Sequence, residues 1–546
     1  MSNQPSHEAS NAIIYVTYAI FLCVSPTSNL LLCGLILTVN SILGVAISWM
    51  LREKLSGQYF SSNRTQTALP LALNFMASGL GSGIFFSYPE MATITGVQGM
   101  IIYALSCGPP MLVFAYFGSL IRKQCPDGFV LTEWTRERFG TLASLYLSLM
   151  SLFTLFLYMV SELSAIGQVI NTMTGLDGLA PIIVECVVTT IYTSLGGFRI
   201  SFLTDTIQGV MIIGLIILAS IAIGTTTHID KQLIDQSGLL KPSLLGWQLL
   251  YILPVCVVFN NFFLSSFWLR TFASKSDKDL WLGASIAATI VTIVLVLVGM
   301  TGIIAVWAGL YTGAADQDPS ISFFLLLEQL PTWVVGVVLL LSVAMSVAAF
   351  DSLQSAMVST ASNDFFRNKL NIWYVRFMVV AVMAPTVVIA LKAPSVLQIY
   401  LISDLLSAAV IPILMLGLYR GFYWLRGFDV IVGGLGGILT VFIFGCIYYG
   451  DVRQGANLLL IEQGLTTGDW GVFGAFVAAP FGGVAWGFLA AAFRMSINYV
   501  LAKKNGTPFT DLDKPAPIAL ADASREPSAE YDGTVTKVEV PPGKFF

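Results

Sequence analysis

The chain has 546 residues, 56% hydrophobic and only 11% charged, with a mean hydropathy of +0.80 and a formal net charge of −4. Soluble domains carry roughly 25% charged residues, so this composition excludes one and points to an all-α polytopic membrane protein. The acidic balance and absent basic stripe exclude nucleic acid as a partner, while seven scattered cysteines and two histidines, His7 and His228, suggest no metal cluster, disulfide framework or histidine-based triad.

Residues 1–28 come first and include the apolar run 12–23, about a dozen residues long. That is too short to cross about 30 Å of hydrocarbon and lacks a basic leader, so it reads as an extracellular or interfacial segment. Thirteen longer apolar runs follow, at 29–51, 68–88, 99–121, 142–171, 179–195, 202–225, 247–268, 281–310, 333–362, 373–391, 396–419, 429–449 and 470–493. They group as one preceding span (29–51), a five-span unit (68–225), a second five-span unit (247–419), two additional spans (429–493), and a polar, Pro/Ala/Ser/Glu-rich tail (503–546) expected to be disordered and cytoplasmic. With the N-terminus outside and the C-terminus inside, most of the inter-span arginines and lysines, from Arg52 through Arg199 and Arg270 to Arg494, face the cytoplasm, while Lys231, Lys241, Lys392 and Arg453 lie outside. This asymmetry is what the positive-inside rule demands. Trp247, Trp268, Trp281, Trp333, Trp373 and Trp470 stand at span ends, where interfacial anchors belong.

The run 68–88 holds Ala77, Ser78, Gly79, Leu80, Gly81, Ser82 and Gly83. Each helix-interior glycine costs about 1 kcal/mol relative to alanine, so three within five residues favour unwinding. Unwound backbone in a membrane needs a bound ion, a polar solute or cavity water for its carbonyls. A GxxxG packing face at Gly79 and Gly83 is the other reading. Glu162, in the run 142–171, is a candidate for holding an amide-bearing or cationic solute, or a water-facing residue of the outer mouth. The stretch from Thr189 to Gln208 sets a charged, glycine-containing hinge between two apolar runs; its Arg199 and Asp205 are either functional or merely snorkelling and capping residues. Glu90 and Glu185 read as interface or vestibule residues.

Five crossings return the chain on the opposite side, so a repeated five-span unit must be inverted. The second unit would then start at 247–268, which carries Pro254, Asn260, Asn261, Ser265 and Ser266. Two discontinuous spans at matching places in inverted halves point to a binding site at the membrane midplane, although amides that pack helices together would explain Asn260 and Asn261 equally well. Asp404 sits in the middle of the run 396–419, and the sequence offers no account of it.

The segments IYTSLGGFRISFLTDTIQ, SSFWLRTFASKSDKDLW and SAMVSTASNDFFRNKL resemble three signatures of the sodium:solute symporter family, and RKQCPDGFVLTEWTRERFG and LQIYLISDLLSAAVIPILMLGLY resemble its fungal and plant urea-transporter branch. The resemblance implies a LeuT-type 5+5 inverted repeat with about 13 transmembrane helices. It also implies a Na+ site built from the backbone carbonyls of Ala77 and Leu80, and a place for Asp205 on the cation pathway. The family usually has a Ser/Thr pair where this chain has Ala348 and Ala349, and a methyl group cannot replace an oxygen ligand for a hard cation. Asp351, three residues after Ala348 and so on the same helix face, would then carry a proton in place of sodium, together with Asp205; a solvated vestibule residue bonded to Ser352 and Ser355 is the other reading.

These readings give a secondary active symporter of a small nitrogen-containing solute, with H+ or Na+ as coupling ion and no cofactor. Urea is the first expectation and a polyamine or other small amide the second; a non-transporting nutrient sensor on the same scaffold is the rival. The solute would lie by Ser78, Gly79 and Gly81, facing Glu162, Asn260, Asn261 and Ser265, with Trp268 as a gate, a stacking partner or an interfacial anchor. Proton or cation coupling would use Ala77, Leu80, Asp205 and Asp351. No nucleophile, base and orienting group share a motif, so no enzyme is expected. The plasma membrane is the expected location.

Overall fold

The computed structural model describes residues 5–24, 64–125, 128, 130–313, 317–367, 372–392, 396–462 and 469–513, and the expected span 29–51 lies outside them. Among the described residues the chain is helical, and the one β-bridge is an isolated pair between Gln66 and Ser274. In chain order the helices begin with α1 (His7–Val24), α2 (Ala68–Gly79), α3 (Ile84–Cys107), α4 (Met111–Gln124), α5 (Leu131–Phe139), α6 (Thr141–Thr174) and α7 (Leu179–Thr226). After a short α8 (Lys231–Ser237) come α9 (Leu244–Phe263), α10 (Ser265–Ala273), α11 (Asp277–Trp307), α12 (Ser322–Leu327), α13 (Thr332–Phe366), α14 (Ile372–Ala390) and α15 (Val396–Leu416). The last are α16 (Gly427–Tyr449), α17 (Val452–Leu459) and α18 (Trp470–Asn505).

Two helices conceal chain reversals. In α3, Gly96 adopts φ 68° and ψ −159°, a left-handed backbone that only glycine adopts readily, and a Cβ there would run into the Leu239 carbonyl. Tyr88 and Tyr103 are 15 positions apart in sequence, yet their rings stack at 4.0 Å, so the chain folds back at Gly96. The reversal separates the expected spans 68–88 and 99–121.

In α7 the contacts with α13 reverse direction. Glu185 meets Ser346 and Thr190 meets Gln354, but Asp205 returns to Ser352, and Ile216 and Ile223 share a small cavity with Val338 and Leu341. The chain therefore doubles back between Thr190 and Asp205, as two antiparallel spans require. The side chain of Arg199, at the centre of the expected hinge, lies outside the described residues.

The first span of each five-helix unit is interrupted. Helix α2 ends at Gly79, Leu80 leaves helical geometry (φ −114°, ψ 98°), and α3 starts at Ile84. In the second unit the break falls at Leu264 (φ −76°, ψ 90°), between α9 and α10. Pro254 sits inside α9 without ending it, so the amide and serine pairs, not the proline, mark the discontinuity.

Helix α13 is the central strut. It is buried along most of its length and packs on α6 and on both arms of α7. Helix α1 also docks on α13 and α7, burying Ser10, Ile14, Thr17 and Tyr18, so this segment is a packed part of the bundle. Helices α16 and α18 pair closely outside the repeats through Gly433, Gly437 and Gly483, whose missing side chains let the two backbones approach. Trp247, Trp281, Trp333 and Trp470 are exposed, as interfacial anchors should be.

Candidate solute and ion site

The two interrupted helices meet at a cavity of about 140 Å³. Ser78, Gly79 and Gly81 from the first break, Asn261 and Leu264 from the second, and Glu162 from α6 all line it. Five expected residues are thus brought together: Ser78, Gly79, Gly81, Glu162 and Asn261.

Glu162 is anchored at the start of α3. The Ser82 N–H and hydroxyl both donate to its Oε1, at 2.5 and 2.6 Å. In interrupted-helix transporters the N-terminus of a half-helix is where an anionic group of a solute is held. Here a carboxylate of the protein occupies that place. A Cβ at Gly81 would overlap it, so glycine is needed for this close approach. Gly81→Ala is expected to destabilise the protein by about 1–3 kcal/mol through overpacking and to abolish uptake. A thermal melt in detergent alongside transport checks this; an unchanged midpoint with normal uptake would contradict the geometry.

A second carboxylate, Asp404 of α15, lines the same cavity, a place that its position in an apolar run does not disclose. Its Oδ1 is buried and has no hydrogen-bond partner within the protein. Tyr88, Tyr103, Tyr158 and Tyr400 complete the polar wall. Tyr158 and Tyr400 sit ring to ring at 4.8 Å, and Tyr400 is within electrostatic range of both Glu162 and Asp404. No lysine, arginine or histidine lines the cavity among the described residues. The signal that could have found Tyr88, Tyr158 and Tyr400 is their placement: each lies on a span that carries a cavity carboxylate or adjoins a break.

Other expected site residues lie elsewhere. Asn260 does not line the cavity; it donates to the Tyr158 hydroxyl and accepts from Ser403 at 3.1 Å, so it positions a cavity tyrosine. Ser265 accepts from Thr360 at 2.7 Å and ties α10 to α13. Trp268 is neither an interfacial anchor nor a cavity residue. It is fully buried, donates to the Phe262 carbonyl at 3.0 Å and packs edge-on against Phe114, because the helical turn after Leu264 points it into the bundle.

The expected ion residues are also separated from the cavity wall. Ala77 and Leu80 are buried at the first break, and neither lines the cavity. Helix α13 presents Ala349 and Leu353 to the cavity; Asp351 is about 200° around the helix from Ala349, buried, and does not line it. Asp205 forms a fully buried ion pair with Arg270, a residue not singled out from the sequence. Arg270 also donates to Ser352 Oγ (2.8 Å), the Asn74 carbonyl (3.1 Å) and the Ser266 carbonyl (2.8 Å). This cluster locks α2, α10, α13 and the second arm of α7 together below the cavity. Asp205 is therefore paired with an arginine and does not line the cavity.

Residues 59–426 match the model of the sodium:solute symporter family. The chain belongs to the sodium:solute symporter family. A relative from Candida albicans named a spermidine transporter is 50% identical over 521 residues, covering 95% of this chain and 96% of its own. A sodium/pantothenate symporter of Haemophilus influenzae is 24% identical over 70% of this chain and 84% of its own. A probable urea active transporter of Schizosaccharomyces pombe is 26% identical, over only 35% of this chain and 29% of its own. Among solved structures, a Na+-coupled sialic acid symporter in its outward-open state matches with a TM-score of 0.68 at 17% identity, covering 89% of this chain and 97% of that one. The family member described here thus has the LeuT-type fold, with its two interrupted helices at the positions expected of the inverted repeats.

Proposed function

We propose that this symporter-family protein carries a polyamine, a flexible aliphatic chain with several ammonium groups, in preference to urea. The observation that carries the reading is the presence of two carboxylates, Glu162 and Asp404, in one tyrosine-lined cavity without a protein cation among the described residues. Ionised carboxylates taken out of water are costly unless paired, and a solute bearing two ammonium groups supplies both partners at once. Urea is neutral and supplies neither. The tyrosine faces attract cations and pack against the methylene segments between them. With Glu162 occupying the helix N-terminus that would hold an anionic group, the site disfavours amino acids and other carboxylates.

The name and coverage of the Candida albicans relative support the same reading, and the urea transporter matches a far shorter stretch. The solute is imported across the plasma membrane in this reading, and an N-terminus on the outside is what the charge asymmetry of the loops supports. The purified protein in liposomes is expected to exchange external labelled spermidine for internal unlabelled spermidine. Excess diamine should compete, and excess urea should not. Competition by urea, or no spermidine exchange, would refute the proposal.

A further inference from the structure

Behind the solute cavity the buried polar groups continue past Glu162. Ser346 of α13 donates to Glu185 Oε1 at 2.8 Å, and Tyr18 of α1 donates to the other oxygen, Oε2, at 2.9 Å. Ser346 also lies beside Glu162, close enough to act on its carboxyl. All four side chains are at most 2% exposed, so this connected row runs through the bundle out of contact with bulk solvent. Around Glu185 the titratable neighbours are Tyr18, Cys186 and Glu162; around Glu162 they are Tyr400 and Glu185. Tyr15 and Cys186 stand beside Tyr18. Among the described residues no cation of the protein faces either carboxylate.

Two buried carboxylates joined by one hydroxyl are a natural arrangement for sharing a proton, and buried ionisable groups of this kind mark proton relays in transporters. We propose that Glu162, Ser346 and Glu185 form the route that couples a proton to solute binding, with Tyr18 holding the far carboxyl in place. The inference rests on the polyamine reading of Glu162. A proton that enters from the cavity is taken up first by Glu162. When an ammonium group of the solute docks there, the Glu162 carboxyl gives its proton to Ser346 Oγ as Ser346 passes its own to Glu185 Oε1. One O–H bond breaks and one forms on each side of the serine, leaving its hydroxyl unchanged. Glu162 is then an ionised partner for the solute, and Glu185 a neutral acid.

The loaded state holds an ion pair and a neutral group, whereas solute without proton leaves Glu185 charged and buried. Solute and proton therefore bind together, and departure of the solute returns the proton to Glu162 and the open cavity. This gives the coupling role to the relay in place of Asp351, which lies off the cavity wall.

The test uses the full chain in liposomes with labelled spermidine, measuring exchange without any ion gradient and net accumulation under an inward proton or an inward sodium gradient. The wild type is expected to accumulate spermidine under the proton gradient only. Glu185→Gln and Ser346→Ala are expected to keep exchange and lose proton-driven accumulation, falling to the level reached without a gradient, and Ser346→Thr, which restores a hydroxyl, is expected to recover it. Should Glu185→Gln fail to fold, the serine pair alone decides. Accumulation driven by sodium, or proton-driven accumulation that survives Ser346→Ala, overturns the relay while leaving the substrate assignment standing. A wild type without spermidine exchange overturns the substrate reading and the relay built on it.

Discussion

Replacing Asp404 with asparagine is expected to weaken spermidine binding by one to two orders of magnitude. The side chain keeps its size, so the cavity keeps its shape; what disappears is the negative charge opposite Glu162. A hydrogen bond to a charged group contributes about 1.5–3 kcal/mol, and Asp404 Oδ1 has no partner within the protein to share it with. At about 1.4 kcal/mol per factor of ten, that range gives the stated loss. The effect should depend on the charges of the solute: a diamine or triamine that reaches both carboxylates loses most, while a monoamine that needs only Glu162 loses little. Equilibrium binding of a monoamine, a diamine and spermidine to both forms of the protein measures this. Equal losses for all three would mean that Asp404 supports the cavity without touching the solute.

Asp404 also shows where sequence reasoning stops. A charge in the middle of an apolar run is visible at once, but its role depends on which helices face each other. The distance in sequence between Glu162 and Asp404 says nothing of their meeting at one cavity. The architecture was more legible. Hydrocarbon thickness fixes run length, and the glycines at 79, 81 and 83 weaken the helix where it breaks. An inverted second unit calls for a matching break, and Asn261 and Leu264 of that unit border the cavity.

The misplacements share one cause. Asn260 and Asn261 are adjacent, yet a 100° rotation per residue sends one to the cavity and the other to Tyr158 and Ser403. Trp268 lies one turn past a break whose exact residue no propensity determines, so it packs on Phe114 instead of reaching the interface. Arg270 resembled one more loop cation under the positive-inside rule, and only the fold shows that it lies buried against Asp205. Glu185 read as a vestibule residue because its partners, Tyr18 and Ser346, come from helices 167 and 161 positions away.

Asp205→Asn is expected to cost about 3–5 kcal/mol, the largest effect of any single change considered, because it leaves Arg270 buried with an uncompensated charge. Arg270 donates to groups on α2, α10 and α13, so relief comes from moving these elements apart and letting water reach the guanidinium. The backbone strap beside it, in which Arg64, Thr65 and Gln66 bond to Phe272 and Ala273 and Lys275 bonds back to Gln66, joins the same ends of the two interrupted helices and should loosen with it. A cysteine introduced at Ser266, 2% exposed beneath Arg270, should therefore react much faster with a thiol reagent in the Asp205→Asn background than in the unsubstituted protein. Substituting both members, Asp205→Ala with Arg270→Met, should recover part of the lost thermal stability, since exchanging a buried pair for apolar groups is often nearly neutral whereas removing one partner is not. Recovery of stability without recovery of transport would identify the pair as a seal that must form and break in each cycle. A single Asp205→Asn change that leaves both the melting midpoint and the reactivity at position 266 unaltered would show instead that Arg270 is adequately held by the carbonyls and Ser352, with the ion pair adding nothing to closure.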